Sequence, residues 1–297
     1  MISWPALGTR VMVRYRLAEG SVPPLTDAVG HLLAADPVVR LQTKTGAVVE
    51  CSPADVVMLR VLTFAPVRTS DIRALEHAAA MACPGVEHAW LEGWLLRAGS
   101  PTGTGAGLTA NSAVPLDLSA RLGSVPPIVD WYERRGLTPR LAIPDRLLSV
   151  PTGSAGEQPE SVLVRDVSEL AAREPDPSAG LSARPDDAWL SMFGPDVDVD
   201  ALTAVSDGEL MFGTLDGAAV ARAAVTDAPD GARWVGLSAI RGDDDRAAAL
   251  CEALLAWGAG RGATRGYVAV PDAEANSGWL GFRLHHHRRY FPVRHGG

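Results

Sequence analysis

The 297-residue chain has only three cysteines, no apolar run long enough to span a bilayer and no excess of basic residues. Each absence excludes a class of protein. Cys51, Cys83 and Cys251 are odd in number and widely spaced, which rules out a disulfide framework and a C-x-x-C metal knuckle and leaves them as buried small hydrophobes. No window approaches the roughly eighteen uninterrupted apolar positions of a membrane helix, so no membrane association is expected. The start "MISWPALGTRVMVRYR" lacks a basic segment followed by an apolar one, so a cytoplasmic protein is expected. A formal net charge of -8 opposes the phosphate neutralisation that duplex binding needs, and nucleic acid is not an expected partner. A Gly-x-Ser-x-Gly elbow is also missing.

What is present falls into three stretches. Residues 9 to 62 carry "TRVMVRYRL", "DAVGHLLAAD", "VVRLQTK", "AVVECS" and "SPADVVMLRVL" between turn formers. Five short strands with one helical turn at "SPADV" predict a small SH3-like β-barrel over 1–66. Arg14, Arg16, Arg40 and Lys44 make it a candidate surface for a partner or for a homodimer. Over 67–150 an α/β half is expected, opening on a helix with Ser70 as N-cap and Ile72, Leu75, Ala79 and Cys83 along one face. "HAWLEGWLLRAG" reads as one long strand, "NSAVPL" as a strand, "PPIVDWYERRG" as a helix and "PRLAIP" as a strand. Turn formers over 149–161 mark a linker. The region 160–297 then reads as a strand, two short helices, a three-strand meander, a helix over roughly 244–260, a strand, a helical turn and a last strand.

The stretch "IRGDDDRAAALCEALLAWG" joins the last meander strand to that helix. Ala247, Leu250, Cys251, Leu254 and Leu255 form an apolar stripe, so the helix packs on the sheet. A strand running into a helix leaves free backbone N–H groups and a partial positive charge at the turn, which suits an anion. Asp243, Asp244 and Asp245 occupy that turn. Locally they read as helix caps; beside a pyrophosphate they would repel it.

Meander, helix, strand, short helix and the Gly281-Phe282 pair together resemble the GNAT acetyltransferases. The resemblance implies an α/β (α+β) fold, a GNAT-like mixed sheet flanked by helices, behind the N-terminal barrel. It implies acetyl-CoA as co-substrate and a primary amine as acceptor. The pantetheine would lie on Leu237, Ser238, Ala239 and Ile240, and the pyrophosphate on the turn at Gly242, Arg246 and Ala247. Four positions depart from the family pattern: Gly242 replaces a Gln or Arg, Asp245 a glycine, Val270 an Asn and Ser277 a Tyr. Ser277 stands where the family carries the Tyr that protonates the leaving thiolate, and Tyr290 on the last strand is a second catalytic candidate.

The pieces "VRTSDIRALEHAAA", "EGWLLRAG", "TANSAVPL", "VDWYERRGLTPRLAIP" and "GFRLHHHRRYF" also resemble actinobacterial proteins with an SH3-like barrel and a GNAT region, some described as N-acetylglutamate synthases. Glutamate or another amino acid is the acceptor this suggests. The half over 67–150 is then either a vestigial GNAT-like lobe or an extension of the C-terminal domain. The alternative function is a degenerate GNAT-fold binding or scaffold module with weak or no acetyl-CoA binding.

Other runs carry less. "GTGAG" at 103–107 lacks the Lys-Ser/Thr of a phosphate loop. Asn111 is the acceptor-side candidate near that loop, weighed against a turn residue satisfying backbone. Glu92 is a second, as a carboxylate that could deprotonate an ammonium through water, or as an exposed edge residue. "DVDVDALTAVSD" lacks the glycine and terminal Glu of a calcium loop. "HHHRRY" alternates its imidazoles across a strand with no spaced ligands to complete a tetrahedral site, so no metal is expected.

Overall fold

The computed structural model describes residues 4–5, 7–18, 20–43, 45–62, 67–99, 109–150, 156–172, 178–194, 197–274 and 279–294. Lys44, the "GTGAG" loop, part of the linker over 149–161 and Ser277 lie outside them. The chain divides into two units, Met1–Val67 and Arg68–Gly297.

The first unit is one antiparallel sheet of β1 (Arg10–Arg16), β2 (Leu25–Ala34), β3 (Val39–Gln42), β4 (Val48–Cys51) and β5 (Val56–Val61), in the order β4-β3-β2-β1-β5. Val11, Val13, Leu32, Val39 and Leu41 form its core. The expected helical turn is a short 3₁₀ segment, Pro53–Asp55, capped by Ser52 through the amide of Ala54. The expected closure is not found. Among the described residues β4 pairs only with β3 and β5 only with β1, so the sheet is open and not a closed barrel.

In the second unit eleven strands form one sheet. These are β6 (Glu87–Leu91), β7 (Trp94–Ala98), β8 (Ala113–Pro115), β9 (Arg140–Pro144), β10 (Glu157–Asp166), β11 (Ala179–Ser182), β12 (Glu209–Leu215), β13 (Ala219–Asp227), β14 (Arg233–Gly242), β15 (Arg265–Pro271) and β16 (Arg283–Pro292). Their order is β11-β12-β13-β14-β15-β10-β16-β9-β8-β7-β6. The α/β half over 67–150 and the region over 160–297 therefore share a sheet, joined through β16 and β9. The helices are α1 (Thr69–Ala82), α2 (Val125–Glu133), α3 (Asp187–Phe193), α4 (Val199–Thr203) and α5 (Asp244–Ala259). None in the described residues is long and apolar enough to cross a membrane.

Packing follows the apolar periodicity. Leu250, Cys251, Leu254 and Leu255 of α5 are fully buried against β13 and β14, as their helical spacing requires. Strand β13 is buried from Ala219 through Thr226 because α5 covers one face while α1 and α3 cover the other. Small alanines suit such two-sided burial. Ile128, Trp131 and Tyr132 of α2 pack with Trp94, Leu96 and Leu141 in a separate core.

Two local expectations are corrected. "HAWLEGWLLRAG" is a hairpin and not one strand: Glu92 and Gly93 both have positive φ, 46° and 87°, as a two-residue hairpin turn of the primed type demands. The N-cap of α1 is Arg68, with no side-chain cap bond, and Ser70 lies inside the first turn bonded to Asp71.

Gly258 sets the approach of α5 to the sheet, since a Cβ there would stand 2.5 Å from Val235 Cβ. Gly258→Ala should cost about 1–3 kcal/mol by overpacking. Gly260→Ala, where the nearest atoms are at 3.5 Å, should cost far less. Denaturant midpoints of the two variants would check this; equal midpoints would refute it.

Candidate active site

Strands β14 and β15 run parallel and pair from Trp234–Arg265 to Leu237–Val268. Beyond that point β14 continues to Gly242 along β13 and β15 to Pro271 along β10 without further pairing to each other, so the strands diverge. A bulge opposite β13 accompanies the divergence: the register shifts between Val220 and Arg222, and Ala239 takes a positive φ of 53°. Main-chain polar groups released from a ladder line a cleft on either side.

The larger cavity, about 700 Å³, lies toward α5. Of the residues expected there, Ser238, Ala239, Ile240, Gly242 and Ala247 line it. Leu237 lines the smaller cavity instead. Arg246 lines neither, and its Nη1 donates to Asp216 Oδ2 at 2.9 Å. Asp243 is the N-cap of α5: its Oδ1 accepts from the amides of Asp245 (3.2 Å) and Arg246 (3.3 Å). Asp244, Asp245 and Glu274 add carboxylates to the wall, against Arg241 alone as a cation among the described lining residues.

The smaller cavity, about 250 Å³, shares Ser238, Ala239, Arg241 and Ala269 with the larger one, so the two meet where the strands part. Glu160, Tyr267, Arg222 and Arg288 supply its main polar groups, and Cys83 and Thr109 also line it. Tyr267 lies across β14 because Gly236 has no side chain; a Cβ there would stand 2.2 Å from the phenol oxygen. Arg222 is a brace. It donates to the carbonyls of Ala82 (2.7 Å), Leu202 (2.8 Å) and Ala204 (3.0 Å) and to Ser238 Oγ (3.2 Å), so the carbonyl ends of α1 and α4 balance its buried charge.

Glu160 is held through one oxygen. Its Oε2 accepts from Arg288 Nε (3.0 Å), Arg288 Nη2 (2.7 Å) and Tyr290 Oη (3.0 Å), while Oε1 takes none of these bonds. Arg288 also donates from Nη1 to Glu76 Oε2 at 3.0 Å, and Glu76 Oε1 pairs with His286 Nε2 at 2.7 Å. His286 Nδ1 lies 2.7 Å from His285 Nδ1. Glu76 is 2% and Arg288 3% exposed. Arg288 is thus shared by two carboxylates, while Arg222 and Arg241 also line the cavity, so Glu160 is the one carboxylate among its described lining residues.

Tyr290 is wholly buried and lines neither cavity; burial above all pushes its phenol up to about 12, so it donates to Glu160 and keeps its proton. Asn111 closes a 3₁₀ turn and accepts from the Gly99 amide at 2.8 Å, with only its neighbour Thr109 reaching the cavity. Glu92 sits at the β6–β7 turn, where it accepts from Ser124 Oγ at 2.6 Å, away from both cavities. Glu76, Glu160, Arg288 and His286 were not expected from the sequence. Two signals could have found three of them: Glu76 falls on the apolar face of α1 one turn after Ile72, and His286, Arg288 and Tyr290 alternate on the buried face of β16.

A mixed sheet whose two parallel strands part beside a helix N-terminus, with a cavity on each side of the gap, is a GNAT-type acetyltransferase architecture. A GCN5-related N-acetyltransferase from Kribbella flavida shares it with a TM-score of 0.51 at 14% identity, over 78% of this chain and 98% of its own. The chain belongs to the Rv0428c family: residues 69–291 match "Probable histone acetyltransferase Rv0428c C-terminal" and residues 5–60 match "Rv0428c N-terminal Sm-like domain". It is 61% identical over 305 residues to "Probable histone acetyltransferase Rv0428c" of Mycobacterium tuberculosis (strain ATCC 25618 / H37Rv), covering 100% of this chain and 99% of that protein.

Acid should loosen this assembly in two steps. Burial alone would raise the Glu76 carboxyl, but the Arg288 charge and the hydrogen bond and charge of His286 outweigh it and hold it at about 2. Burial, then the charge of His286, holds the His285 imidazole at about 4. Both groups bind fewer protons folded than unfolded, so their contributions are complete above the unfolded values and vanish as pH falls. His285 loses its share from about 6.5 down to 4, and Glu76 from about 4.5 down to 2. Glu76→Gln should cost about 3–5 kcal/mol at neutral pH and flatten the lower limb of a stability-against-pH curve. An unchanged lower limb would show that Glu76 is not the group that titrates.

Proposed function

We propose that the protein transfers the acetyl group of acetyl-CoA to a primary amine by direct attack. The observation that carries this reading is the divergence of β14 and β15 between two cavities that share Ser238 and Ala239. The thioester lies against the released main-chain groups near Ser238 and Ala239, and preoriented backbone donors there stabilise charge developing on its oxygen. The acceptor enters from the smaller cavity. Glu160 takes the ammonium proton through Oε1, while Arg288 and Tyr290 keep Oε2 fixed. The C–N bond forms, the C–S bond breaks, and the thiolate takes a proton from Ser277 or from water.

The slot between the strands fits a pantetheine arm, whereas the α5 turn, with its amides on Asp243, does not fit a diphosphate. That mismatch supports a second reading, a GNAT-fold binding or scaffold module without turnover. For the acceptor, the family resemblance favours glutamate or another amino acid, and the name of the Mycobacterium tuberculosis relative points to histone lysine. Glu160, the one carboxylate among the described residues lining the smaller cavity, can pair with either amine in its protonated form. The open N-terminal sheet is the candidate surface for a homodimer.

Calorimetric titration with acetyl-CoA, followed by a screen of amino acids and lysine peptides, separates the two readings. Turnover with Glu160→Gln reduced roughly 10²–10⁴-fold, measured where near-UV circular dichroism shows the variant folded, is expected for the base. Full activity of that variant would remove Glu160 from the mechanism, and absence of any acetyl-CoA binding would leave the scaffold reading.

A further inference from the structure

The donor side of the site carries an inference that rests on the acetyl-transfer reading. A helix N-terminus attracts a diphosphate by offering unbonded amides and an uncompensated partial charge. At α5 both are already engaged. Asp243 Oδ1 holds the amides of Asp245 and Arg246, and Asp244 and Asp245 occupy the first turn. The described wall of the larger cavity holds three carboxylates, Asp244, Asp245 and Glu274, against the single guanidinium of Arg241. Arg246, the other cation of the turn, is paired with Asp216.

The rest of that wall has the opposite character. Ser238, Ala239 and Ile240 on β14 face Val268, Ala269 and Val270 on β15, with Trp279 beside them. An uncharged, amide-bearing chain can exchange hydrogen bonds with unpaired strand backbone there and bury its methylenes on the valines.

We infer that the donor is recognised by its neutral pantetheine thioester and not by its nucleotide. The cavity therefore takes acyl-pantetheine thioesters that lack the diphosphate at least as well as it takes acetyl-CoA, whose phosphates remain in solvent. The transfer itself balances in the same way with either donor. The ammonium gives one proton to Glu160, the neutral nitrogen bonds to the acyl carbon, the acyl C–S bond breaks, and the proton that nitrogen then sheds passes through water to the released pantetheine thiolate.

The test is binding to the full-length protein, followed by calorimetry and by thermal shift, with S-acetylpantetheine and acetyl-CoA side by side at low and high salt. The expected result is affinity for S-acetylpantetheine equal to or above that for acetyl-CoA at low salt, with only acetyl-CoA gaining as salt screens the carboxylates. In the double variant Asp244→Asn, Asp245→Asn, which keeps the Asp243 cap, acetyl-CoA should bind about tenfold tighter, a change of about 1.4 kcal/mol, while S-acetylpantetheine is unaffected. Acetyl-CoA binding about a hundredfold tighter than S-acetylpantetheine in the unaltered protein would overturn the inference and leave acetyl transfer standing. Binding of neither would overturn acetyl transfer and the inference with it.

Discussion

Taking two carboxylates and a guanidinium out of water costs several kcal/mol per ion unless each finds its partners in good geometry. Arg288 meets that condition by standing between Glu76 and Glu160, and the three residues come from α1, β16 and β10. Without Arg288 the two carboxylates would face each other uncompensated, and with it the helix and the two strands are held in one arrangement. The smaller cavity inherits its geometry from that constraint. Glu160 could not present a fixed oxygen to the small cavity if Arg288 and Tyr290 did not hold the other.

The divergence of β14 and β15 supplies the second half of the site, and its cause is local. A bulge at Ala239 interrupts the ladder with β13, which resumes at Arg241, and past Leu237 no pairing with β15 follows. Backbone that leaves a ladder must find other partners, and here a ligand can provide them. The aspartates raise a separate matter. Their capping role and their effect on a phosphate are the same fact viewed from inside and outside the helix, because amides that bond Asp243 cannot also bond an anion.

Much of the architecture was legible in the sequence because it depends on short-range periodicity. The three-strand meander, the stripe of α5 from Ala247 to Leu255 and the five strands of the N-terminal unit all follow from neighbours a few residues apart. Turn chemistry was legible at Gly93, where a glycine, free to take positive φ, follows Glu92 and interrupts an apolar run. Strand order was not legible. Nothing local says that β10 inserts between β15 and β16, yet that insertion brings Glu160 beside Arg288, 128 positions later in the chain. Of the residues expected on the donor side, Ser238, Ala239, Ile240, Gly242 and Ala247 line the larger cavity, whereas Glu160 was not among the expected residues.

Arg222 has a consequence for how the molecule can be divided. It lies on β13 and is bonded to the carbonyl of Ala82, 140 positions earlier, while β16 runs between β10 and β9. A chain beginning at β10 would keep every strand that borders the cleft but would strand a buried guanidinium without one of its acceptors and expose an edge of β16. The catalytic half is therefore not portable. Insertion, fusion or exchange between relatives can act at the Met1–Val67 boundary, whereas everything after it has to be inherited as a single piece.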